Sequence, residues 1–527
     1  MNLPDSTIAN TTHAQNVCHA CMLRKKACDK ALPACGFCTS RQLRCRYDIS
    51  APKSKGQRTY NPGRHFVALQ SPSPPNVSTQ AKAVTRQLPS PESLQDHTPI
   101  SASSLYVFPQ LVEESLNQLA RRLTELTKLT YDNIVDRYFQ SLHKSFPVIS
   151  PDSFRREASR YRDKSHLPPA DFTVLLLAML LVVLPPLDPS SLPPCASQEF
   201  FYTTTKSAFA QAQASLCTSL RLVQAAFLIA LREYMCLRLE TAYISAMTCA
   251  GMARVLGIGI TSIRTTRDAQ IASTSRPEML ERENLAWAIA MLERLILCEL
   301  GRSDLQPQTE YPGPNCQLPS DLKPAASLDP SPGGPPTAPA VNQVTLSSLN
   351  AANAGQFGRQ AQSVSLLDRL LRATRLTTTT TTTTITTTAT KLAALAALDA
   401  QVRGFLAVVV GELEWRHTLS CVPVALCVRQ LFLLHEAVLD MLQHPNSETD
   451  HRKRDIAWVG LDTACRMMLD VVQWHDEETM PIMPNCCFYN LRAARRCLQV
   501  RGGGEAAARD VGRLVDAEER YRRMWVF

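Results

Sequence analysis

The sequence has few features of secreted or membrane proteins. Residues 1–16 contain no basic segment followed by an apolar stretch, so we expect no secretory signal. The apolar run Phe172–Leu184 has 13 residues and stops at a Pro-Pro pair. A membrane-spanning helix needs about 20 apolar residues. We therefore predict that this run is a buried core helix and that the protein has no membrane partner.

Phosphate-binding glycine loops and common catalytic motifs are absent as well. The chain has no G-x-S-x-G, no G-x4-G-K-[ST], no H-E-x-x-H and no G-x-G-x-x-G after a strand. Its run of three glycines, Gly502–Gly504, is followed by Glu505 and is more simply a turn between helices. The sequence therefore predicts a protein that is not an enzyme and has no catalytic residues.

Cysteine is plentiful, at 18 residues, and it is unevenly placed. A unit C-x2-C-x6-C occurs twice in succession near the N-terminus, formed by Cys18, Cys21, Cys28, Cys35, Cys38 and Cys45. A disulfide framework would need an oxidising compartment, and the C-x2-C-x2-C run of bacterial ferredoxins is absent. The remaining cysteines are scattered from Cys195 to Cys497, as expected for buried thiols in a reducing compartment. Zinc is therefore the ion that six close thiols predict.

Ligand counting favours two zinc ions over one. A tetrahedral Zn²⁺ takes four ligands, so a single ion would leave two of the six thiols unused. Two ions need eight bonds from six sulfurs, so two thiolates must bridge the metals. If a pseudo-twofold axis relates the two repeats, the bridging residues occupy equivalent positions. The first cysteines of the repeats, Cys18 and Cys35, meet that condition.

Positive charge is concentrated around the same cysteines. Residues 1–66 contain eleven Lys and Arg against three Asp, a net charge of +8 out of +9 for the whole chain. A basic patch confined to one small metal-binding segment is typical of a nucleic-acid-binding module. A segment of about 30 residues cannot bury a sufficient core, so we expect zinc to supply its folding free energy.

The complete pattern C-x2-C-x6-C-x6-C-x2-C-x6-C resembles the zinc binuclear cluster of fungal transcription factors. The RKK after the second cysteine, the CDK at the third and Pro33 in the connecting loop add to this resemblance. It implies two Zn²⁺ held by all six cysteines, with the first and fourth bridging, in a nuclear protein that binds double-stranded DNA. We expect a short helix after each C-x2-C pair, at about 21–26 and 38–43.

The resemblance also assigns DNA contacts by position. In the family the first helix points its C-terminal end into the major groove and reads a CGG triplet. Lys25, with Arg24 beside it, is then the expected base-reading residue, because guanine O6 and N7 are both acceptors. Phosphate contacts fix orientation without specifying sequence, and we expect them from Lys26, Lys30, Arg41, Arg44 and Arg46.

Helical periodicity begins after a linker. We expect residues 1–16 to be disordered, and the eight prolines of residues 48–104 predict a flexible linker. Apolar residues spaced by four and three then form a seam: Val112, Leu116, Leu119, Leu123 and Leu126. The seam covers about two heptads, too few for a coiled coil. We therefore predict the packed first helix of a domain.

Three later segments resemble, in order, the regulatory middle homology region of the same transcription factors: 131–154, 219–259 and 281–303. The third contains Trp287 and the pair Glu293-Arg294. The resemblance implies an all-helical regulatory domain, which we place at 105–311, after a DNA-binding domain at 17–47. The predicted fold class is accordingly mostly α.

The C-terminal part combines low-complexity segments with further helices. Residues 312–339 contain nine prolines, and we expect a disordered insert at 312–360. The threonine run Thr377–Thr390 is expected to be a loop or a poorly formed helix end. Apolar periodicity beyond it predicts a C-terminal helical region, within 361–527, that packs on the preceding domain.

These features predict a fungal, sequence-specific transcription factor of the RNA polymerase II type. The family resemblance suggests control of a metabolic or secondary-metabolite gene cluster. Expected partners are double-stranded DNA and the transcription machinery or co-regulators, with one copy or a homodimer bound to DNA. One alternative is a ligand-sensing or protein-interaction regulator in which the helical domain dominates. Another is a repressor or a non-specific architectural DNA binder.

Overall fold

The computed structural model describes two compact units, Met1–Asp96 and His97–Phe527. The described residues are 17–18, 21, 27–41, 45, 109–161, 167–184, 197–260, 276–302, 304–321, 344–351, 354–375, 388–416, 422–445, 447–475, 483 and 485–525. The predicted N-terminal segment 1–16 and linker 48–104 lie outside these residues. So do residues 376–387, which contain most of the predicted threonine run; its last three residues, Thr388, Ala389 and Thr390, begin a helix.

Helices account for the regular structure of the described residues, apart from isolated bridge residues, among which Gln317 pairs with Thr345. The first unit contains α1 (Gly36–Ser40). The second contains α2 (Pro109–Thr127), α3 (Tyr131–Gln140), α4 (Pro151–Ser159), α5 (Ala170–Val183), α6 (Gln198–Ser215), α7 (Leu220–Met235), α8 (Leu239–Val255), α9 (Arg276–Leu300), α10 (Gln356–Arg375), α11 (Thr388–Arg416), α12 (Val422–Met441), α13 (Glu448–Trp474), α14 (Asn485–Arg501) and α15 (Glu505–Trp525), with a 3₁₀ turn at Leu142–Lys144. The mostly-α prediction is confirmed.

The apolar seam near residue 112 lies inside the fold. Leu116 and Leu123 of α2 are 0% and 1% exposed, and α2 packs against α5 and α6. The seam therefore serves as the buried face of a packed first helix, as its short length predicts.

The run at 172–184 forms the centre of the first half of the helical unit. Helix α5 is buried along nearly its whole length, and it packs against α2, α3, α6 and α7. It is a core helix, as predicted. Two other helical segments, Thr388–Glu412 and Val422–Met441, are long and apolar enough to cross a membrane by length and composition alone. The second of these is mostly buried among α10, α11, α13 and α14, which is the setting of a core helix.

The C-terminal helices share one hydrophobic core with the preceding ones. Tyr489 of α14 stacks on Tyr234 of α7 with ring centroids 5.1 Å apart, and its hydroxyl donates to the Tyr234 carbonyl at 2.9 Å. Arg429 of α12 forms a bidentate ion pair with Glu299 of α9, at 2.7 and 2.9 Å. Two distant parts of the chain thus form one continuous core.

The Glu293-Arg294 pair joins α9 to a loop and to α10. Both side chains are almost fully buried. Glu293 accepts hydrogen bonds from the backbone N–H groups of Gln308 and Thr309, at 2.6 and 3.0 Å. Arg294 donates its Nε–H to Asp368 of α10 at 2.9 Å. Because buried charges are tolerated only when they are paired and hydrogen-bonded, this pair fixes the loop and the two helices together.

The predicted disordered insert at 312–360 differs from the structure at both ends. The backbone N–H of Leu318 donates to Val344 O at 3.0 Å, and that of Leu346 donates to Cys316 O at 2.7 Å. Leu346 is 3% exposed, so the segment contributes to the core. The prediction was based on the proline content of the segment. Proline content does not show whether a single residue, such as Leu346, is buried in the core. Residues 322–343, which contain several of the prolines, lie outside the described part of the chain.

Asp321, at the end of the first ordered piece, caps α10. Its carboxylate accepts the backbone N–H groups of Gln356 at 3.1 Å and Phe357 at 3.0 Å. A Cβ at Gly355 would lie 2.5 Å from Asp321 Oδ2, so glycine leaves room for the carboxylate. The first turn of α10 therefore depends on a residue from a separate chain segment.

We expect Asp321→Ala to lower the free energy of unfolding by about 1–2 kcal/mol, because two N–H groups at a helix start lose their acceptor. Asp321→Asn retains an acceptor and should lose less. Urea unfolding of the full chain measures both effects. Asp304→Ala is the control, since Asp304 forms an exposed ion pair with Arg302, and exposed pairs contribute little to stability. Equal effects of Asp321→Ala and Asp304→Ala would contradict the capping role.

Candidate metal centre and nucleic-acid interface

The six N-terminal cysteines come together in two overlapping groups of four. One group contains Cys18, Cys21, Cys28 and Cys35, and the other contains Cys18, Cys35, Cys38 and Cys45; within each, the sulfur atoms lie within 4.8 Å of one another. Cys18 and Cys35 belong to both groups. They are the two residues that the sequence repeat predicts to bridge two metals.

The sulfur separations fit zinc coordination. Cys18 Sγ lies 3.7 Å from Cys35 Sγ and 3.6 Å from Cys38 Sγ, and Cys21 Sγ lies 3.6 Å from Cys35 Sγ. Tetrahedral coordination with Zn–S bonds of about 2.3 Å places sulfur atoms roughly 3.8 Å apart. A disulfide would require about 2.05 Å. Each group of four therefore has the separations of a zinc site, and none of these pairs has those of a disulfide.

The thiols need a cation to be ionised together. Cys18, Cys21, Cys35 and Cys38 are completely buried. Burial raises the pKa of Cys18, and burial together with neighbouring thiols raises the pKa of Cys21 to about 12. At Cys28, by contrast, backbone hydrogen bonds from Cys18 and Lys30 lower the pKa to about 7. Zn²⁺ binds the deprotonated thiolate, so two such ions would supply the positive charge that this cluster requires.

Asp29 connects the loop between the two cysteine repeats to α1, the helix of the second repeat, by hydrogen bonds. Its Oδ2 accepts the backbone N–H of Gly36, the first residue of α1, at 2.9 Å, and its Oδ1 accepts that of Ala31 at 3.2 Å. The N-cap residue Cys35 provides no side-chain cap of its own. A Cβ at residue 36 would lie 2.7 Å from Asp29 Oδ2, so the contact favours glycine there. The sequence analysis used Asp29 as a negative charge and as part of the CDK at the third cysteine, and it did not predict this capping contact.

The second cluster helix is displaced from its expected position. It spans Gly36–Ser40, whereas the sequence placed it at about 38–43. The difference arises because the helix begins directly after the fourth cysteine, where Asp29 binds its first N–H. Of the first predicted helix, 21–26, only Cys21 lies within the described residues, and it is helical.

Two of the seven predicted DNA-contacting residues are described. Lys30 has a backbone φ of 61° and is half-buried, and Arg41 is exposed directly after α1. The Arg41 guanidinium carbon lies 4.9 Å from the centroid of the Phe37 ring, a cation–π distance. The other five residues lie outside the described part of the chain: Arg24, Lys25, Lys26, Arg44 and Arg46.

Two family models match the chain. Residues 16–54 match the fungal Zn(2)-Cys(6) binuclear cluster domain, and residues 135–325 match the fungal specific transcription factor domain. Both are transcription-factor domains and neither is an enzyme family. No curated protein and no solved structure is significantly similar to the chain. The first match, together with the two groups of thiols, confirms the predicted cofactor of two Zn²⁺.

We expect the full chain, purified under reducing conditions, to hold two Zn²⁺. Cys18→Ala and Cys35→Ala should disturb both metals, because each removes a sulfur common to both groups. Cys28→Ala and Cys45→Ala should disturb one metal more than the other. Elemental analysis gives the zinc content of each variant. Cys217→Ala, which changes an exposed cysteine in the helical unit, is the control and should leave the zinc content unchanged. One zinc per wild-type chain, or equal losses in all four cluster variants, would contradict the binuclear arrangement.

Asp29→Ala should make zinc leave faster in the presence of a chelator, because the loop and α1 lose two hydrogen bonds to a charged acceptor. Such bonds contribute about 1.5–3 kcal/mol each, so the release rate should rise at least severalfold. Asp29→Asn should lie between Ala and the wild type. A metallochromic indicator follows the release. Unchanged release from Asp29→Ala would mean that the metals alone hold the loop.

Proposed function

We propose that the chain is a DNA-binding fungal transcription factor that reads CGG-like triplets in double-stranded DNA, and its matches to the Zn(2)-Cys(6) cluster domain and the fungal specific transcription factor domain support this. The observation that carries the proposal is the arrangement of six thiols in two groups that share Cys18 and Cys35. That arrangement supports the assignment of all six cysteines as zinc ligands. The basic residues between and after them then lie on a metal-held scaffold of about 30 residues.

Base reading is assigned to Lys25, with Arg24 beside it. Both follow Cys21, a buried cysteine of the first metal group, so the metal fixes the start of the segment that carries them. A lysine ammonium or an arginine guanidinium can donate to the adjacent O6 and N7 acceptors of guanine in the major groove. This chemistry suits the two guanines of a CGG triplet.

Phosphate binding is assigned to Lys26, Lys30, Arg41, Arg44 and Arg46. Arg41 is exposed and lies over Phe37, which restricts its side chain at the end of α1. A restricted cation loses less conformational entropy when it binds a phosphate oxygen. Such contacts orient the cluster on the duplex without selecting a sequence.

The biological role proposed is control of RNA polymerase II transcription in the nucleus, of a metabolic or secondary-metabolite gene cluster. The fungal specific transcription factor domain supports a regulatory role for the helical unit and, through it, contacts with the transcription machinery or co-regulators. Leu116 and Leu123 of α2 are buried within that unit, and the partly buried Leu119 and Leu126 pack against its core. A leucine zipper through this seam is therefore disfavoured, and binding as one copy, or as a homodimer held by another surface, fits better.

The main rival is a regulator whose helical unit senses a ligand or binds a protein while the zinc cluster only localises it; a repressor is a second. Mapping of bound chromatin sites together with transcript changes on gene deletion separates them. Loss of transcripts near CGG-containing sites supports an activator, and a gain supports a repressor. Bound sites without CGG enrichment would overturn the proposed base reading.

Lys25→Ala should cost about 1–3 kcal/mol on a duplex that contains a CGG triplet and much less on random DNA, because a base contact is lost. Lys53→Ala is the matched comparison: residue 53 follows the last cysteine, and we expect a phosphate contact there. That variant should weaken binding to both duplexes similarly and reduce the salt slope by about one. Isotherms of the full chain at several salt concentrations measure both effects. Equal losses of binding free energy on both duplexes for Lys25→Ala would indicate that Lys25 contacts a phosphate and not a base.

A further inference from the structure

A groove of about 390 Å³ lies between α2 and α6 of the helical unit. Its volume falls within the range of small-molecule sites, roughly 300–1,000 Å³. Helix α2 is joined to the core by Asn117, whose side-chain amide donates to Pro168 O at 2.9 Å. Helix α6 begins at a cap in which the Ser197 hydroxyl accepts the backbone N–H of Phe200 at 3.2 Å. Two anchored, regular helices therefore form the walls.

The walls present polar side chains to the groove. Six polar residues of the lining recur at spacings of three and four, which places each set of three on one helix face. They are Ser115, Gln118 and Arg122 on α2 and Thr204, Ser207 and Gln211 on α6. The groove is thus lined by hydroxyl groups, amide groups and one guanidinium.

The hydrogen-bonding capacity of these walls is largely unused. The five uncharged residues of this set have no hydrogen-bond partner for their side chains within the described part of the chain. Thr203, also in the lining, donates its hydroxyl to Glu199 O at 2.9 Å and can still accept a hydrogen bond. Hydroxyl and amide groups offer both donors and acceptors, as the hydroxyl groups of a polyol do. The lining therefore suits a ligand that carries several hydroxyl groups.

The apolar part of the lining is small. It consists of Leu119, which is half-buried, and Ala208, which is buried. These two side chains can contact the C–H groups of a sugar ring through dispersion. The described lining contains no aromatic ring, so a flat base or indole would find no stacking partner there.

Arg122 supplies the charge of the described lining. It is exposed, and it forms no ion pair within the described part of the chain. Glu199, one turn before Thr203 on α6, is already paired with Arg238. A guanidinium can bind a phosphate or a carboxylate through two parallel N–H donors. The groove therefore offers one site for an anionic group beside its hydroxyl and amide groups.

We propose that this groove binds a small polyhydroxylated anion, either a sugar phosphate or a sugar acid. The anionic group lies at Arg122, the hydroxyl groups lie between Gln118 and Ser207, and the ring rests on Leu119 and Ala208. An amine is disfavoured because the described lining has no carboxylate to pair with it. Binding in this groove does not depend on which DNA sequence the zinc cluster reads.

The test uses calorimetric titration of the full, zinc-loaded chain with four probes: glucose-6-phosphate, glucuronate, glucose and inorganic phosphate. At least one of the two sugar anions should bind with a dissociation constant on the order of 0.1–1 mM, a reasonable range for a ligand of this size. Glucose and inorganic phosphate should each bind at least about fivefold more weakly, because each lacks half of the recognised groups. Tighter binding of glucose-6-phosphate than of glucuronate supports a phosphate ligand, and the reverse supports a carboxylate ligand. No binding of either sugar anion up to about 5 mM, or equal affinities for all four probes, would overturn the proposal.

Substitution of Arg122 tests the anion contact. Arg122→Gln should lower the affinity for the sugar anion to that for glucose and leave glucose binding unchanged, because the guanidinium is lost while a polar side chain remains. Arg121→Gln is the matched control, since Arg121 is an exposed neighbour on α2 outside the lining, and it should bind like the wild type. Equal effects of the two changes would show that overall charge, and not this groove, attracts the anion, and the proposal would fail.

A second pair of variants locates the ligand. Ser207→Phe places a ring in the groove at an exposed position of α6 and should abolish binding of the sugar anion. Ala210→Phe adds the same ring at an exposed position of α6 outside the lining and should bind like the wild type. Retained binding in Ser207→Phe would contradict the assignment. Affinity for CGG-containing DNA, measured on the same variants without the sugar anion, should stay at the wild-type value and tests the proposed function separately.

Discussion

Zinc–thiolate coordination is the interaction on which the DNA-binding unit depends. The buried apolar cluster of that unit, within its described residues, consists of four cysteines, with two further cysteines and Phe37 packed against it. A folded domain normally gains its stability by burying aliphatic and aromatic side chains, and here the metal ligands occupy their place. The ligands and the core are the same residues, so folding and metal binding are one equilibrium.

The helical unit differs from the DNA-binding unit in the size of its apolar core. It has ample apolar surface to bury, and a few ion pairs lie inside that core. Three such pairs each join two different helices: Arg294 with Asp368, Arg359 with Glu412 and Arg429 with Glu299. Replacing one partner would leave a buried charge uncompensated, which costs far more than a surface pair contributes. These pairs therefore favour the packing of the helices that they join over packing that would separate the paired charges.

Local patterns in the sequence predict most of the fold and the metal centre. Cysteine spacing indicates the pair that both groups of thiols share, Cys18 and Cys35. Apolar runs indicate α2 and α5, because ligand counts and helical periods are properties of short segments. Hydrogen bonds between separate chain segments were not predicted from the sequence. Asp29 on Gly36 and Asp321 on Gln356 are single hydrogen-bonding side chains whose partners become known only when the chain has folded. The ordered ends of the proline-rich insert were also not predicted, because their backbone hydrogen bonds likewise join separate chain segments.

Two Zn²⁺ bound by the two groups of thiols, with Cys18 and Cys35 common to both groups, would have an electrostatic consequence. Counted from the sequence, with neutral thiols, the first 66 residues carry a net charge of +8. Six thiolates around two Zn²⁺ have a formal charge of −2, since bridging lets six sulfurs serve eight coordination positions. Loading the cluster thus releases six protons and takes in four positive charges. The folded DNA-binding unit is therefore less cationic than its unfolded, metal-free form, and its attraction to nucleic acid depends on where the remaining charges are held rather than on how many there are.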